Sequence, residues 1–492
     1  MAVFDVLPQV ITACVVILVA AVVFKTFSIR QKSGTKPWLK CFLDAFCGIF
    51  ISQFRIGPWS ESTFPGLHQP YSSSTTGKTA HLVNSMIKGK DLTEEDKEGL
   101  RSACLQYDTA LQGVRKSGVT ISPFGYVVLQ QSLQIRLSVR LDMLSYIRRH
   151  PEISQIPVRR PVFVIGFPRT GTTFLHELLG MYPKGSSHLL WEQISPVPLS
   201  HDESLAARTR DRLKRYNGPA WAGFQSMMMT TDEARMQRIH RLGYDLPEEC
   251  TNIVGMEVPL NPPSLPYMMF AAKECMDLGA GEAFNLYKQY LQLMAWQSEH
   301  RQGDFTWILK CPFHLPYLTE LHAAFPDATI VWTHRDPAEC IASACSLYET
   351  LLDMSAESWT IDKHAMGRAV MEYTAHALER AGKSLSTTCQ RMNITHVRYK
   401  DIIKDPKGTV KKICDKAGID FSVEYDETLS TYLAKNASDR QKLKEQKAKE
   451  QKGNGTADTA LHTYSLEEYG LSQKEVSERF GGYISQYKLR ES

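Results

Sequence analysis

The chain has 492 residues, of which 43% are apolar and 22% charged, with 57 lysines and arginines against 53 acidic residues. That composition excludes wholesale disorder, a single long apolar run excludes a polytopic membrane protein, and a net charge of +4 argues against a dedicated nucleic-acid binder, which would need a concentrated basic face. The eleven cysteines include no C-x-x-C pair, which argues against a zinc site or a dense disulfide framework.

The first element in chain order is an apolar run, Val10 to Phe24, interrupted only by Thr12. Extended to Val6–Phe27, it reaches the roughly 20 residues that span a bilayer. Asp5 rather than a basic residue precedes it, so it reads as an uncleaved single-pass anchor over residues 1–27 rather than a signal peptide, with a buried core helix as the alternative. Lys25, Arg30, Lys32, Lys36 and Lys40 follow the run and would keep the rest of the chain cytoplasmic. The glycosylation sequons at Asn393, Asn436 and Asn454 point to the lumen. An endomembrane location, Golgi or ER, is expected, with the side of the membrane open. Residues 28–80 carry turn-forming residues and read as a neck. Residues 81–158 read as a helical extension: Leu92-Thr-Glu-Glu95 opens an acidic first turn, and leucines from Leu129 to Leu144 recur near helical spacing.

The main domain is expected over 159–487. Buried-strand runs at Pro161–Gly166, Asp304–Lys310, Ala328–Thr333 and Ile394–Tyr399 alternate with helical patterns. The fold class is therefore α/β, a P-loop-type parallel sheet flanked by helices and preceded by the membrane anchor. Gly166-Phe-Pro-Arg-Thr-Gly171-Thr-Thr173 lies between the first strand and its helix. Its glycines permit a tight turn whose amides would cradle an anion. The G-x4-G spacing is that of a phosphate loop, but Thr172 stands where a nucleotide kinase has lysine. The strand at 328–333 runs into His334-Arg335 rather than a magnesium-binding carboxylate. Lys435 to Lys452 is lysine-rich and reads as a solvated helix or mobile loop. The stretches Trp221–Met229 and Pro266–Phe270 are rich in methionine and aromatics, which suits ordinary helix core or an adaptable lipophilic surface.

Pro168-Arg-Thr-Gly-Thr-Thr173 resembles the 5′-phosphosulfate loop of sulfotransferases that use 3′-phosphoadenosine 5′-phosphosulfate (PAPS). Ile330-Val-Trp-Thr-His-Arg-Asp-Pro337 with Ser343 resembles the 3′-phosphate site of the same family, and Phe325-Pro-Asp-Ala-Thr and Arg398-Tyr-Lys-Asp-Ile-Ile-Lys-Asp-Pro406 also resemble it. The likeness covers about 160–425, and its branch is the one with arginine in the loop, which includes tyrosylprotein sulfotransferases and bacterial enzymes of broad acceptor range. The resemblance implies PAPS as co-substrate, no metal, and a small-molecule, lipid or carbohydrate hydroxyl as acceptor. It implies a nucleotide site of Arg169, Thr170, Gly171, Thr172, Thr173, Arg335, Ser343 and Tyr399.

Sulfuryl transfer gathers charge on the bridging oxygen, where cations stabilise it, and Arg169 and Lys310 are the candidates. Lys310 closes a strand, which aims it at the sheet's carboxyl edge. The acceptor needs a base. Glu192 matches the position of the glutamate base in the resembling enzymes, with His188 and Glu177 as competitors. Asp245-Leu-Pro-Glu-Glu249 reads first as a helix N-terminal capping box and second as a carboxylate pair at an acceptor site. The chain departs from the tyrosylprotein pattern at Leu347, where an arginine stands four residues after the serine, and in lacking that branch's C-terminal loop. The alternatives are a P-loop kinase or hydrolase and a non-catalytic nucleotide-binding protein.

Overall fold

The computed structural model describes residues 92–198, 240–260, 263–298, 303–454 and 465–491, with 211, 214 and 301. The expected anchor, the neck and Trp221–Met229 lie outside the described residues. Among the described residues, no helix is long and apolar enough to cross a membrane.

Two long helices come first, α1 (Glu94–Ser117) and α2 (Pro123–Arg149). The start of α1 is set by a capping box. Thr93 Oγ1 accepts from the Asp96 amide at 3.1 Å, and the Asp96 carboxylate accepts from the Thr93 amide at 3.0 Å. The helix stops at Gly118, whose φ of 68° suits glycine. These helices are not a separate body. Ala110, Leu111, Met143 and Ile147 belong to the same core cluster as Phe163 and Ile165 of the sheet. Arg140 pairs with Glu257 at 2.7 Å, both nearly fully buried, and Arg136 donates to Asn252 Oδ1 at 2.6 Å.

Five strands form one sheet: β1 (Val162–Ile165), β2 (Gly185–Ser186), β3 (Thr306–Lys310), β4 (Thr329–His334) and β5 (Asn393–Arg398). The order is β2-β3-β1-β4-β5 and every pair is parallel. β1 is central, and all four of its residues are buried. This is the continuous apolar pattern of a strand covered on both faces. Successive side chains go to opposite faces. Phe163 and Ile165 join the large core with Trp307, Leu309 and Trp332. Val162 and Val164 join a second core with Leu175, Val410, Ile413 and Tyr425.

The helices around the sheet are α3 (Thr172–Gly180), α4 (Leu190–Ile194), α5 (Ala283–Trp296), α6 (Leu318–Ala324), α7 (Pro337–Leu352), α8 (Lys363–Ser386), α9 (Tyr399–Lys404), α10 (Pro406–Ala417), α11 (Val423–Asn454), α12 (Gln473–Arg479) and α13 (Gly481–Gln486). The lysine-rich stretch falls on the far half of α11, as a helix. Pro266–Phe270 lies in a short helix, Leu265–Phe270, with Tyr267, Met268 and Met269 all buried, so this stretch is core rather than a lipophilic surface. Asn393 is engaged within the fold: its Nδ2 donates to Thr329 Oγ1 at 2.9 Å and to the Lys416 carbonyl at 3.2 Å.

Candidate active site

Parallel strands bring their carboxyl ends to one edge, and the chemistry-bearing residues collect there. β1 delivers the loop Gly166–Gly171, β3 ends on Lys310, β4 runs into Arg335, and β5 runs into Tyr399. Three residues of the first loop take positive φ: Gly166 (146°), Arg169 (75°) and Gly171 (90°). A Cβ at Gly166 would stand 2.4 Å from Thr333 Oγ1, and one at Gly171 would stand 2.7 Å from the Tyr399 ring. Only glycine fits these two turns. Gly171 caps α3, so the first-turn amides at Thr172 and Thr173, residues that line the cleft, are left without intrahelical acceptors, as in an anion-binding helix start.

Arg169 holds an uncommon backbone conformation for a side-chain-bearing residue, and strain of that kind gathers at functional sites. Its carbonyl accepts from Arg335 Nη1 at 3.1 Å, and its Nε donates to Ser343 Oγ on α7 at 3.0 Å. The Arg335 guanidinium lies 4.1 Å from the Tyr399 ring centre and is also held by Glu339 at 2.8 Å. Arg169, Thr172, Thr173, Arg335, Ser343 and Tyr399 together line a cleft of about 620 Å³. Leu466, Glu467 and Gln473 also line it, so the C-terminal segment at 466–473 borders the cleft. The cleft has the size of a cofactor pocket.

Two of the sequence candidates are placed differently. Thr170 is 1% exposed, and its hydroxyl bonds the Phe167 carbonyl at 2.7 Å and Thr333 Oγ1 at 2.6 Å. Its side chain closes the loop from behind and does not line the cleft. Glu192 is buried on α4, away from both cavities. Its Oε1 accepts from Arg301 Nη1 at 2.7 Å, and its Oε2 accepts from Arg301 Nη2 at 3.1 Å and from the Leu189 amide at 2.8 Å. Arg301 in turn lies over Trp307 at 4.9 Å. A carboxylate whose two oxygens are both held by a guanidinium fork and an amide is a structural brace, turned away from an acceptor. The competitors fare similarly: His188 is buried with Nε2 on the Glu248 carbonyl at 3.1 Å, and Glu177 accepts from the Tyr432 hydroxyl at 2.5 Å.

A second, narrower cavity of about 100 Å³ meets the cleft along Arg169, Thr172 and Thr173. Its walls are largely apolar, with Leu190, Leu242, Leu260, Phe313, Leu347 and Leu351. Leu347, the departure from the tyrosylprotein pattern, is one of them. The polar exceptions include His240, Glu248 and Glu249. The capping-box reading of Asp245–Glu249 does not hold: the next helix starts at Thr251 with Cys250 as its cap, and Pro247 bridges to Leu189. Its two glutamates hold separate partners. Glu249 accepts from Lys310 Nζ at 2.6 Å, and Glu248 takes His240 Nε2 on both oxygens, at 2.9 and 3.1 Å. Lys310 Nζ also reaches Thr173 Oγ1 at 3.4 Å. Burial works against charge on Lys310, but Glu249 and Glu248 outweigh it, so the ammonium is held. Burial likewise opposes charge on His240, and Glu248 reverses this, raising the imidazole above its ordinary value. His176, on the inner side of α3, is pushed down to about 4 by burial and by Lys310. His240 gave no motif in the sequence, because its partner Glu248 becomes its neighbour only through the turn at 244–246.

A parallel α/β sheet with a glycine-turned anion loop, Thr172 where a kinase has its lysine, and β4 running into Arg335 is the frame of a phosphate-loop transferase. Residues 161–423 match the model of the sulfotransferase family, and the chain belongs to that family. It is a sulfotransferase, of a family that generally takes its sulfate group from PAPS. Relatives include the omega-hydroxy-beta-dihydromenaquinone-9 sulfotransferase Stf3 of Mycobacterium bovis and of Mycobacterium tuberculosis. Each is 24% identical over 281 residues, 56% of this chain and 67% of theirs. In fold, the chain is similar to the sulfotransferases STF9 of Mycobacterium avium and STF1 of Mycobacterium tuberculosis H37Rv. The TM-scores are 0.58 and 0.57, both at 23% identity, covering 85% and 84% of this chain and 98% and 99% of theirs.

Proposed function

We propose that the wide cleft holds PAPS and that the narrow cavity takes the hydroxyl-bearing end of a lipophilic acceptor. The observation that carries this is the junction of an anion-binding cleft and an apolar cavity along one short segment, Arg169 to Thr173. The amides at the start of α3 and Arg169 suit the 5′-phosphosulfate. Arg335 and Ser343 suit the 3′-phosphate, and Tyr399, with Arg335 stacked on it, lies at the same end of the cleft. Lys310 bonds Thr173, which lines both cavities, and Glu249, which lines the narrow one, and would stabilise charge on the bridging oxygen.

An apolar wall rejects sugars, whose hydroxyls would lose water without gaining partners. The menaquinone-directed activity named for the relatives supports the same acceptor class. A membrane anchor over residues 1–27 would hold the domain where such acceptors dissolve. The test is transfer of labelled sulfate from PAPS by the full-length chain to dodecanol in micelles, compared with glucose. Sulfated dodecanol is the expected product, and efficient transfer to glucose with none to dodecanol would contradict the reading.

A further inference from the structure

The proposed reaction needs a group to take the acceptor proton, and Glu192 is locked to Arg301. We infer that His240 is the general base and Glu248 its orienting partner, while Glu249 positions Lys310. The inference rests on the acceptor reading of the narrow cavity.

The four residues are arranged as two adjacent pairs with different duties. Glu248 meets one ring nitrogen, Nε2, through both carboxylate oxygens. That contact fixes the proton on Nε2 in the neutral imidazole and leaves the lone pair on Nδ1. It also stabilises the imidazolium that forms when the base works, as a carboxylate does in other His–acid dyads. Both residues line the apolar cavity beside Thr172 and Thr173, where the acceptor oxygen would approach the sulfur. Glu249 is committed to Lys310, which keeps the cation facing the loop. The titratable groups facing His240 are Glu248 and Glu249 from its own segment and Lys310 from the end of β3. Burial and Lys310 lower its affinity for a proton, and the two carboxylates, Glu248 foremost, raise it further than these lower it.

The step balances without any further reactant. The acceptor O–H bond breaks and its proton passes to Nδ1 of His240. The acceptor oxygen bonds to sulfur as the bond from sulfur to the bridging oxygen breaks. The electron pair of that bond leaves on the terminal phosphate oxygen of 3′-phosphoadenosine 5′-phosphate, stabilised by Lys310 and Arg169. His240 then releases the proton to solvent.

The test uses the full-length chain with PAPS and dodecanol, comparing wild type, His240→Asn and Glu248→Gln. His240→Asn should lower kcat on the order of 10²-fold while affinity for 3′-phosphoadenosine 5′-phosphate stays unchanged. In the wild type, kcat/KM should rise with pH through a limb above the ordinary histidine range. Glu248→Gln should move that limb to lower pH. Unchanged kcat in His240→Asn, a loss matched by lost nucleotide binding, or an unmoved limb in Glu248→Gln would overturn the assignment. Failure of the wild type to sulfate dodecanol fails the acceptor reading instead. The dyad is then decided by NMR titration of His240, where an identical titration in wild type and Glu248→Gln overturns it.

Discussion

Arg335 and Glu192 show how one kind of contact serves two ends. Both form ion pairs, but Arg335 borders the open cleft, whereas Glu192 is buried in a fork with Arg301. Replacing Arg335 by alanine should weaken nucleotide binding by about 1.5–3 kcal/mol, the range of a hydrogen bond to a charged group, and leave the fold intact. Calorimetry and thermal melting check the two halves of that statement. Replacing Glu192 by glutamine should act the other way round. It leaves Arg301 buried without its charge partner and should cost about 3–5 kcal/mol of stability. Nucleotide affinity of the molecules that remain folded should be unaffected. A denaturant melt and a binding isotherm on the same sample separate the outcomes. Lys310→Ala should lower kcat by about 10²–10³-fold, the scale of one lost charge-stabilising donor, with nucleotide affinity retained.

The elements differ in how far they could be read from the chain. The strands and the first loop were legible because parallel strands buried on both faces are continuous apolar runs, as at Pro161–Gly166, and glycine spacing marks the turn. The short β2 was not, because Gly185-Ser186 carries no apolar pattern and pairs only through its backbone with Thr306 and Trp307. Arg169, Lys310 and Arg335 could be named because each sits at a strand's carboxyl end or in the glycine-marked loop just past one. The Glu248–His240 pair could not, since nothing local marks two residues that a turn brings face to face. Asp245–Glu249 has the letters of a helix start, yet the segment is pinned to Leu189 and Lys310 across the chain, and long-range pairing overrides the local signal. The glycine turn gives a test at this scale. Gly171→Ala forces a Cβ onto Tyr399 at a φ of 90°. The variant should be destabilised by about 1–3 kcal/mol and should lose nucleotide affinity, because the cap of α3 is the anion site.

For the whole molecule, the sheet edge serves as a junction. Helix α2 holds the segment behind the narrow cavity through Arg136–Asn252 and Arg140–Glu257, while the C-terminal segment borders the wide cleft. Leu347 sits in the apolar wall, so Leu347→Arg should depress transfer to dodecanol while nucleotide binding persists. Acid should destabilise the whole fold. His176 is depressed to about 4 by burial and Lys310, and His334 is depressed by burial and by His396. A depressed histidine favours the folded state above its unfolded value, near 6.5, and that stability is lost as pH falls towards the folded value. The melting temperature should therefore hold above about pH 6.5 and decline progressively towards pH 4.

The central claim is that the arginine-bearing loop and Arg335 form a metal-independent site for the adenosine 3′,5′-bisphosphate unit. Calorimetric titration of the full-length chain with 3′-phosphoadenosine 5′-phosphate, with Mg-ATP as control and Arg335→Ala alongside, tests it most directly. The expected result is tight binding without magnesium that weakens sharply in the variant. Preference for Mg-ATP, or equal binding by wild type and variant, would contradict it.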